Sequence, residues 1–413
     1  MPYNLERANK FMEEYKIDVL IATEPITLKY LEYNIWLSSF KEWNFKPGGS
    51  NYPGLVSFCI IPYKKIPVYI LNSQTIGFLK DIDINNVIPY GNYTNIEDKT
   101  ISREFENRID FKISEIHKRA IFSDPLEAIE YYFKENNLQN SRVAIEKIGL
   151  NPDLFNNIKD RFGYCDFKDG TEIFRLIRMV KVLKEIELLK QSVDIAEEAF
   201  LSSLNLLKIN KLFGEARKEF KRIVCSHNAF LNHYVIFSRG LGFKENSDYK
   251  IEKNSTIAFD FGCMSENYIC DTAATVFVGK VSQNSFEIYK QLIDILETGL
   301  NKIKPGVRCS EVYDAMINKR DHYNLFNCSP EGHGVGINHH EYPKIGYGFN
   351  YYYNDGFTRR SGDFIIEKDM VINIEVPTHF HNESSYSIEK TVYITGDGFK
   401  EISIQNREKP IIV

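Results

Sequence analysis

Two apolar segments, Ser255-Thr256-Ile257-Ala258-Phe259-Asp260-Phe261-Gly262 and Tyr268-Ile269-Cys270-Asp271-Thr272-Ala273-Ala274-Thr275, each carry one aspartate. Alternation in the first sets Ala258 and Asp260 on one face and Ile257 and Phe259 on the other. The residues from Gly262 to Asn267 suit a turn, so the two segments read as a hairpin whose aspartates face each other across the ladder. Facing carboxylates repel, and one pKa rises unless a cation lies between them. Taken alone, the pair reads equally well as solvated acids at strand ends.

A second acidic pair lies further on. In Val371-Ile372-Asn373-Ile374-Glu375-Val376 the isoleucines and Val376 face a core, and Asn373 and Glu375 face the other way. Glu389 lies with Ser387 and Thr391, opposite Ile388 and Val392, so a hairpin would bring Glu375 and Glu389 together. Between the two pairs runs Glu331-Gly332-His333-Gly334-Val335-Gly336-Ile337-Asn338-His339-His340-Glu341. Its glycines flank a histidine rather than precede a lysine, which rules out a phosphate loop. They are expected to let backbone approach a ligand and to leave His333 accessible. Four carboxylates and one imidazole suit two divalent ions such as manganese, iron, cobalt or zinc. Such a pair can share one water, lower its pKa and polarise a carbonyl.

Outward from these strands, a helical tract is expected over 172–207 and helices over 213–224 and 286–303, the last stopped by Pro305-Gly306. Strands are expected over 256–261, 269–278, 371–376 and 387–394. The first segment alternates differently. Leu5, Ala8, Phe11 and Met12 mark one helix face, a second helix covers 124–136, and strands cover 19–22, 55–61, 68–71 and 143–145. This is an α/β layered pattern. The expected division sets an α/β domain, 1–165, apart from an α+β domain, 166–413, with no Pro-, Gly- or Ser-rich linker between them.

Composition narrows the function classes. The 413 residues carry a formal charge of −5 with no basic block, which argues against a dedicated nucleic-acid binder. Aromatic residues at 14% exclude disorder as the main state. No run approaches the ~18–20 apolar residues of a membrane helix. Met1-Pro2-Tyr3-Asn4-Leu5-Glu6-Arg7 lacks a secretory pattern. Seven scattered cysteines without a Cys-x-x-Cys form neither a disulfide framework nor a thiolate zinc site. A cytoplasmic, reducing setting is expected, with no membrane or nucleic-acid partner.

At these residues the chain resembles the pita-bread metallopeptidases, in the branch of creatinase, prolidase and Xaa-Pro aminopeptidase. Asp260, Asp271 eleven residues later, His333 in Gly-His-Gly-x-Gly, then Glu375 and Glu389 match the family's ordered signature. His340 with Glu341 and Pro343 matches its His-Glu-x-Pro element, and Leu176 to Lys181 leading into Glu185 resembles the helix that opens the catalytic domain. Asp18 to Ala22 followed by Tyr30-Leu31 is similar to the branch's N-terminal domain, which favours it over methionine aminopeptidase. The resemblance implies a pita-bread catalytic domain and a homodimer. It implies metal ligands Asp260, Asp271, His333, Glu375 and Glu389, with Asp271 and Glu389 bridging two ions. Glu375 would also handle the proton of the attacking metal-bridged water, and His340 would hold the substrate or stabilise the tetrahedral intermediate.

The pattern has departures. The stretch from Phe237 to Asn246 lacks the histidine that proline-specific members carry before the first metal aspartate. His233, 27 residues ahead of Asp260, lies too early and is expected to be a packing residue. The arginine of Asp-x-Thr-Arg-Thr is Ala274, the arginine before the last glutamate is Ser387, and the acid after it is Lys390. Tyr351 to Tyr353, Arg359, Arg360, His379 and His381 could line an altered pocket, though surface or packing roles are the simpler expectation. The leading reading is a metal-dependent hydrolase cleaving a small peptide or amide. One alternative keeps the metal site for a lyase-type elimination or rearrangement of a small metabolite; another is a binding protein that has lost catalysis.

Overall fold

The structure is a computed structural model describing residues 3–31, 56–78, 84–91, 115–116, 119, 122–243, 248–346, 352–354, 359–403 and 408–413. The chain divides into two compact units, Met1–Ile177 with Tyr353–Arg359, and Arg178–Tyr352 with Arg360–Val413.

In the first unit, Asn4 caps α1 (Leu5–Tyr15) by accepting from Arg7 N, and the helix buries Ala8, Phe11, Met12 and Tyr15. There follow β1 (Val19–Ala22), α2 (Pro25–Tyr30), β2 (Phe58–Pro62), β3 (Val68–Asn72), β4 (Val87–Tyr90), α3 (Pro125–Glu135), β5 (Arg142–Ile145), α4 (Pro152–Arg161) and β6 (Asp166–Asp169). The strands form one mixed sheet ordered β4-β3-β2-β1-β5-β6. Its core includes Val19, Ile21, Phe58, Ile60, Ile70, Val143 and Ile145, packed with Phe133 and Phe162. Leu55, expected to start the second strand, lies outside the described residues. β6 follows the boundary expected at 165/166 and pairs in parallel with β5, so this sheet continues past it.

The helical tract expected over 172–207 is two helices, α5 (Thr171–Met179) and α6 (Leu183–Leu204). Between them Lys181 N donates to Asp369 O at 2.9 Å, which takes the backbone out of the helical ladder. Val182 N donates to the Glu185 carboxylate at 2.7 Å and restarts it.

The second unit continues with α7 (Phe213–Ser226), β7 (Phe230–Ser238), β8 (Leu241–Phe243), β9 (Ser255–Ser265), β10 (Tyr268–Ile269), β11 (Thr272–Val278), α8 (Gln283–Leu300), α9 (Cys309–His322), β12 (Glu331–Gly334) and β13 (Glu341–Ile345). Then come β14 (Val371–Glu375), β15 (Thr378–Phe380), β16 (Ser384–Tyr386), β17 (Glu389–Ile394), β18 (Phe399–Glu401) and β19 (Ile411–Ile412). One sheet runs β19-β11-β9-β7-β8 and the other β13-β12-β14-β17-β18. The first rests on α6 and α7, where Phe200 stacks on Phe261 at 4.2 Å and Phe220 on Tyr234 at 4.4 Å. Two threonines stitch the sheets together. Thr275 Oγ1 donates to Ser387 O at 2.9 Å and accepts from Ser387 N at 3.1 Å, while Thr391 Oγ1 donates to Asp271 O at 3.1 Å.

Candidate metal centre

β9 presents Asp260 as its alternation requires, with Ile257, Phe259 and Phe261 fully buried on the opposite face. Asp260 pairs with Ala273, and Asp271 lies just before Thr272, which pairs with Phe261. The two aspartates are therefore staggered rather than directly opposed. On the other sheet Glu375 pairs directly with Glu389, and His333 pairs with Asn373. One oxygen each of Asp260, Asp271 and Glu389 lie within 4.8 Å of one another. His333 Nε2 lies 3.2 Å from Asp271 Oδ2 and 3.7 Å from Glu375 Oε1. Glu389 is buried and accepts from Asn373 Nδ2 at 2.8 Å. All five expected side chains thus converge between the two sheets, with Asp271 at the centre.

The glycines around His333 serve a different purpose from the one expected. His333 is buried, not accessible. A Cβ on Gly332 would lie 2.7 Å from Asn373 O, one on Gly334 2.1 Å from Tyr342 O, and one on Gly336 2.3 Å from Glu341 Oε2. The bare backbone lets β12 press against its neighbours and the His-Glu-x-Pro loop. That loop has a buried anchor, because Glu341 receives Lys181 Nζ at 2.6 Å and Arg178 Nε at 3.2 Å. Burial opposes a charged Glu341, but these two cations outweigh it and hold the acid below its usual range.

Two histidines that sequence reasoning set aside or passed over belong to the site. His233 Nε2 lies 2.8 Å from Asp260 Oδ1 and 3.3 Å from Asp271 Oδ1, so it is not a packing residue. His339 Nε2 donates to Asp271 Oδ2 at 2.7 Å, and its ring stacks on His233 at 4.6 Å. The signal for His233 was its strand. Tyr234 and Ile236 are buried, so His233, Val235 and Phe237 share the other face, and register sets Val235 beside Asp260. His340 is exposed and stacks on His333 at 3.8 Å. The covered part of its ring and the neighbouring His333 and His339 lower it to about 4.

The electrostatics are those of a site built for cations. Burial, with Asp271, Glu331 and Asp260 nearby, pushes Glu375 up to about 8 against the pull of His333. Glu389 rises well above the usual range through burial and the charges of Asp271, Glu375 and Asp260. Four buried atoms, His233 Nε2, Asp260 Oδ1, Asp271 Oδ1 and His333 Nε2, crowd one another yet make no well-aligned hydrogen bond among the described residues. Buried polar atoms are rarely left so, and a set of carboxylate oxygens and imidazole nitrogens is the donor set of borderline divalent ions. The residues present fit such ions.

The two replaced arginines and the replaced acid sit in defined settings. Ala274 pairs with Phe259 on the face turned from Asp260, Ser387 carries the threonine stitch, and Lys390 pairs with Glu297 at 2.9 Å. His379 packs on Phe237 with ring centroids 4.8 Å apart. The side chains of Tyr351 to Tyr353, Arg359 and Arg360, and residues 244–246 of the stretch lacking a histidine, lie outside the described residues.

A sequence model described as metallopeptidase family M24 matches residues 178–396. Among curated relatives, the Xaa-Pro dipeptidase of Pyrococcus furiosus is 24% identical over 288 residues, covering 66% of this chain and 76% of the relative. The Xaa-Pro dipeptidase of Lactobacillus helveticus is 25% identical, covering 70% and 77%. Among solved structures, an Xaa-Pro dipeptidase from Bacillus anthracis shares the fold with a TM-score of 0.71 at 18% identity, over 99% of both chains.

Proposed function

This chain belongs to metallopeptidase family M24 and is a metal-dependent peptidase, and on that premise we propose a dinuclear centre that hydrolyses small Xaa-Pro peptides. Asp260, Asp271, His333, Glu375 and Glu389 would hold the two ions, which when bound supply Lewis acidity that activates water and polarises a carbonyl. The observation that carries the reading is the cluster of partnerless buried donors around Asp271. Glu375, at the edge of this cluster, is suited to take the proton of attacking water, since a base must reach the water it activates. His340, exposed beside His333 and held neutral, is suited to donate its N–H to the developing oxyanion. Substrate choice rests on the relatives' proline specificity. The elimination and binding-protein alternatives gain no support, since the relatives are peptidases.

A homodimer and a cytoplasmic setting belong to the same proposal, and light scattering of the purified protein reads the former. Among the described residues no helix is long and apolar enough to cross a membrane.

The test is metal analysis joined to a dipeptide panel with proline second, with manganese or cobalt added. Two ions per chain, hydrolysis of part of the panel and loss of both in chelator are expected. Ions at a hundredfold excess over Kd should stabilise the fold by about 2.7 kcal/mol per site. Full ion occupancy with no hydrolysis of any panel member would remove the Xaa-Pro assignment.

A further inference from the structure

We propose that His233 is a sixth ligand, giving the ion on the Asp260 side a nitrogen donor in addition to its carboxylates. This rests on the dinuclear reading above and extends it to a residue outside the family signature.

Three local features aim the ring. Unbroken alternation from Val235 to His233 sets both on the pocket's face, and β7 bulges against β9 only beyond them, between Leu231 and His233. Opposite it stands Gly262, the partner of His233 in register. A Cβ there would lie 2.6 Å from His233 Cε1, so only a glycine lets the imidazole lean across the strand toward Asp260. On its outer face the ring is held by His339, stacked within 14° of parallel.

The hydrogen bonding separates a ligand from a packing residue. His233 Nδ1 donates to Asn232 Oδ1 at 2.7 Å, so Nε2 is the ring nitrogen that faces the pocket and would serve an ion there. That nitrogen is buried and partnerless, although Asp260 Oδ1 and Asp271 Oδ1 are 2.8 and 3.3 Å away. His333 repeats the arrangement on the other side of Asp271. Its Nδ1 donates to Gly334 O at 3.0 Å, and its Nε2 is also buried and partnerless. A backbone or amide acceptor on one ring nitrogen and a free second nitrogen is how proteins orient metal-binding histidines. His339 differs, since its Nε2 is spent on a hydrogen bond to Asp271 Oδ2, which makes it an orienting donor.

The chemical consequence is ion choice. An oxygen-only pocket suits manganese or magnesium, and imidazole tilts affinity toward cobalt, nickel or zinc. The experiment is calorimetric titration of the full chain, first stripped of ions, with cobalt(II) and with manganese(II), alongside the visible absorption of the cobalt form. The variants are His233→Ala, His233→Asn and His339→Ala. Wild type is expected to take up two ions. His233→Ala should keep two but bind one cobalt at least tenfold more weakly, with a smaller loss for manganese and an altered cobalt spectrum. His233→Asn, closer in size and polarity, supplies the same readout if the alanine variant does not fold. Affinities and spectrum unchanged in a folded His233 variant would overturn the assignment. An equal loss in His339→Ala would also overturn it, because the two rings would then act as one stacked support. Failure of the dinuclear reading looks different: the wild type itself would bind fewer than two ions.

Discussion

Two buried carboxylates at the meeting of the sheets behave in opposite ways. Asp271, from the first sheet, is surrounded by His233, His333 and His339, and although burial works against its charge, these partners hold it well below the usual range. Glu389, from the second sheet, faces Glu375 in register and has Asp271 and Asp260 nearby, and it is pushed well above. Burial is common to both, so it does not decide the outcome. The identity of the neighbours does. The same contrast recurs away from the pocket, where Glu341 and Glu185 lie near one lysine. Glu341 has Lys181 and Arg178 in contact and is lowered, whereas burial raises Glu185 to about 7 against the weaker pull of Lys181.

The contrast can be broken most forcefully by exchanging the two pocket acids for their amides. Asp271→Asn removes the group shared by both halves of the site and should lower kcat/KM at least about a thousandfold. In the ion-free protein it should also cost roughly 3–5 kcal/mol, because it leaves buried imidazoles without their counter-charge. Glu389→Gln should abolish activity too, yet cost less ion-free stability than Asp271→Asn, since burial and its acidic neighbours already work against a charge there. Urea unfolding in chelator measures both, and equal losses would erase the distinction.

Glu185→Gln sharpens the second contrast through pH. An acid whose folded pKa of about 7 exceeds its ordinary value of 4.5 keeps its proton better when folded. Its stabilising effect is therefore full below the lower value, declines as pH rises between the two and is gone above the higher. The amide variant should flatten this slope and be the more stable protein at pH 8 by up to roughly 3 kcal/mol, read from unfolding curves across pH. The smallest effect is expected from Thr391→Val, which deletes the bond to Asp271 O and should cost about 1 kcal/mol with a modest loss of ion affinity.

How far the sequence reveals this molecule depends on whether a residue's partner is local. Asp260 is legible because β9 is apolar on one side, so its alternation has one reading. Glu375 and Glu389 are legible because they pair across a single excursion of chain, through β15 and β16. The break between α5 and α6 is not, since apolar periodicity runs through it and the interrupting partner, Asp369, lies far along the chain. His233 was hidden for a related reason. Separation in sequence says little about separation across a sheet, where register sets the neighbours. The glycines at 332, 334 and 336 were recognised as a motif, but the atoms filling their missing side chains come from β14, from β13 and from Glu341.

The stitching of the sheets by Thr275 and Thr391 has a consequence for biosynthesis. Asp271 and Glu389 are separated by more than a hundred residues, and no shorter segment contains both halves of the cage. A nascent chain that has laid down β7, β9 and β11 therefore holds His233, Asp260 and Asp271 but still lacks the carboxylate that the second sheet adds to Asp260 and Asp271. Only when β17 emerges and docks does Glu389 join Asp260 and Asp271 and complete the cage. Loading of the full cage then marks the completion of synthesis, as a late clasp on an almost finished protein.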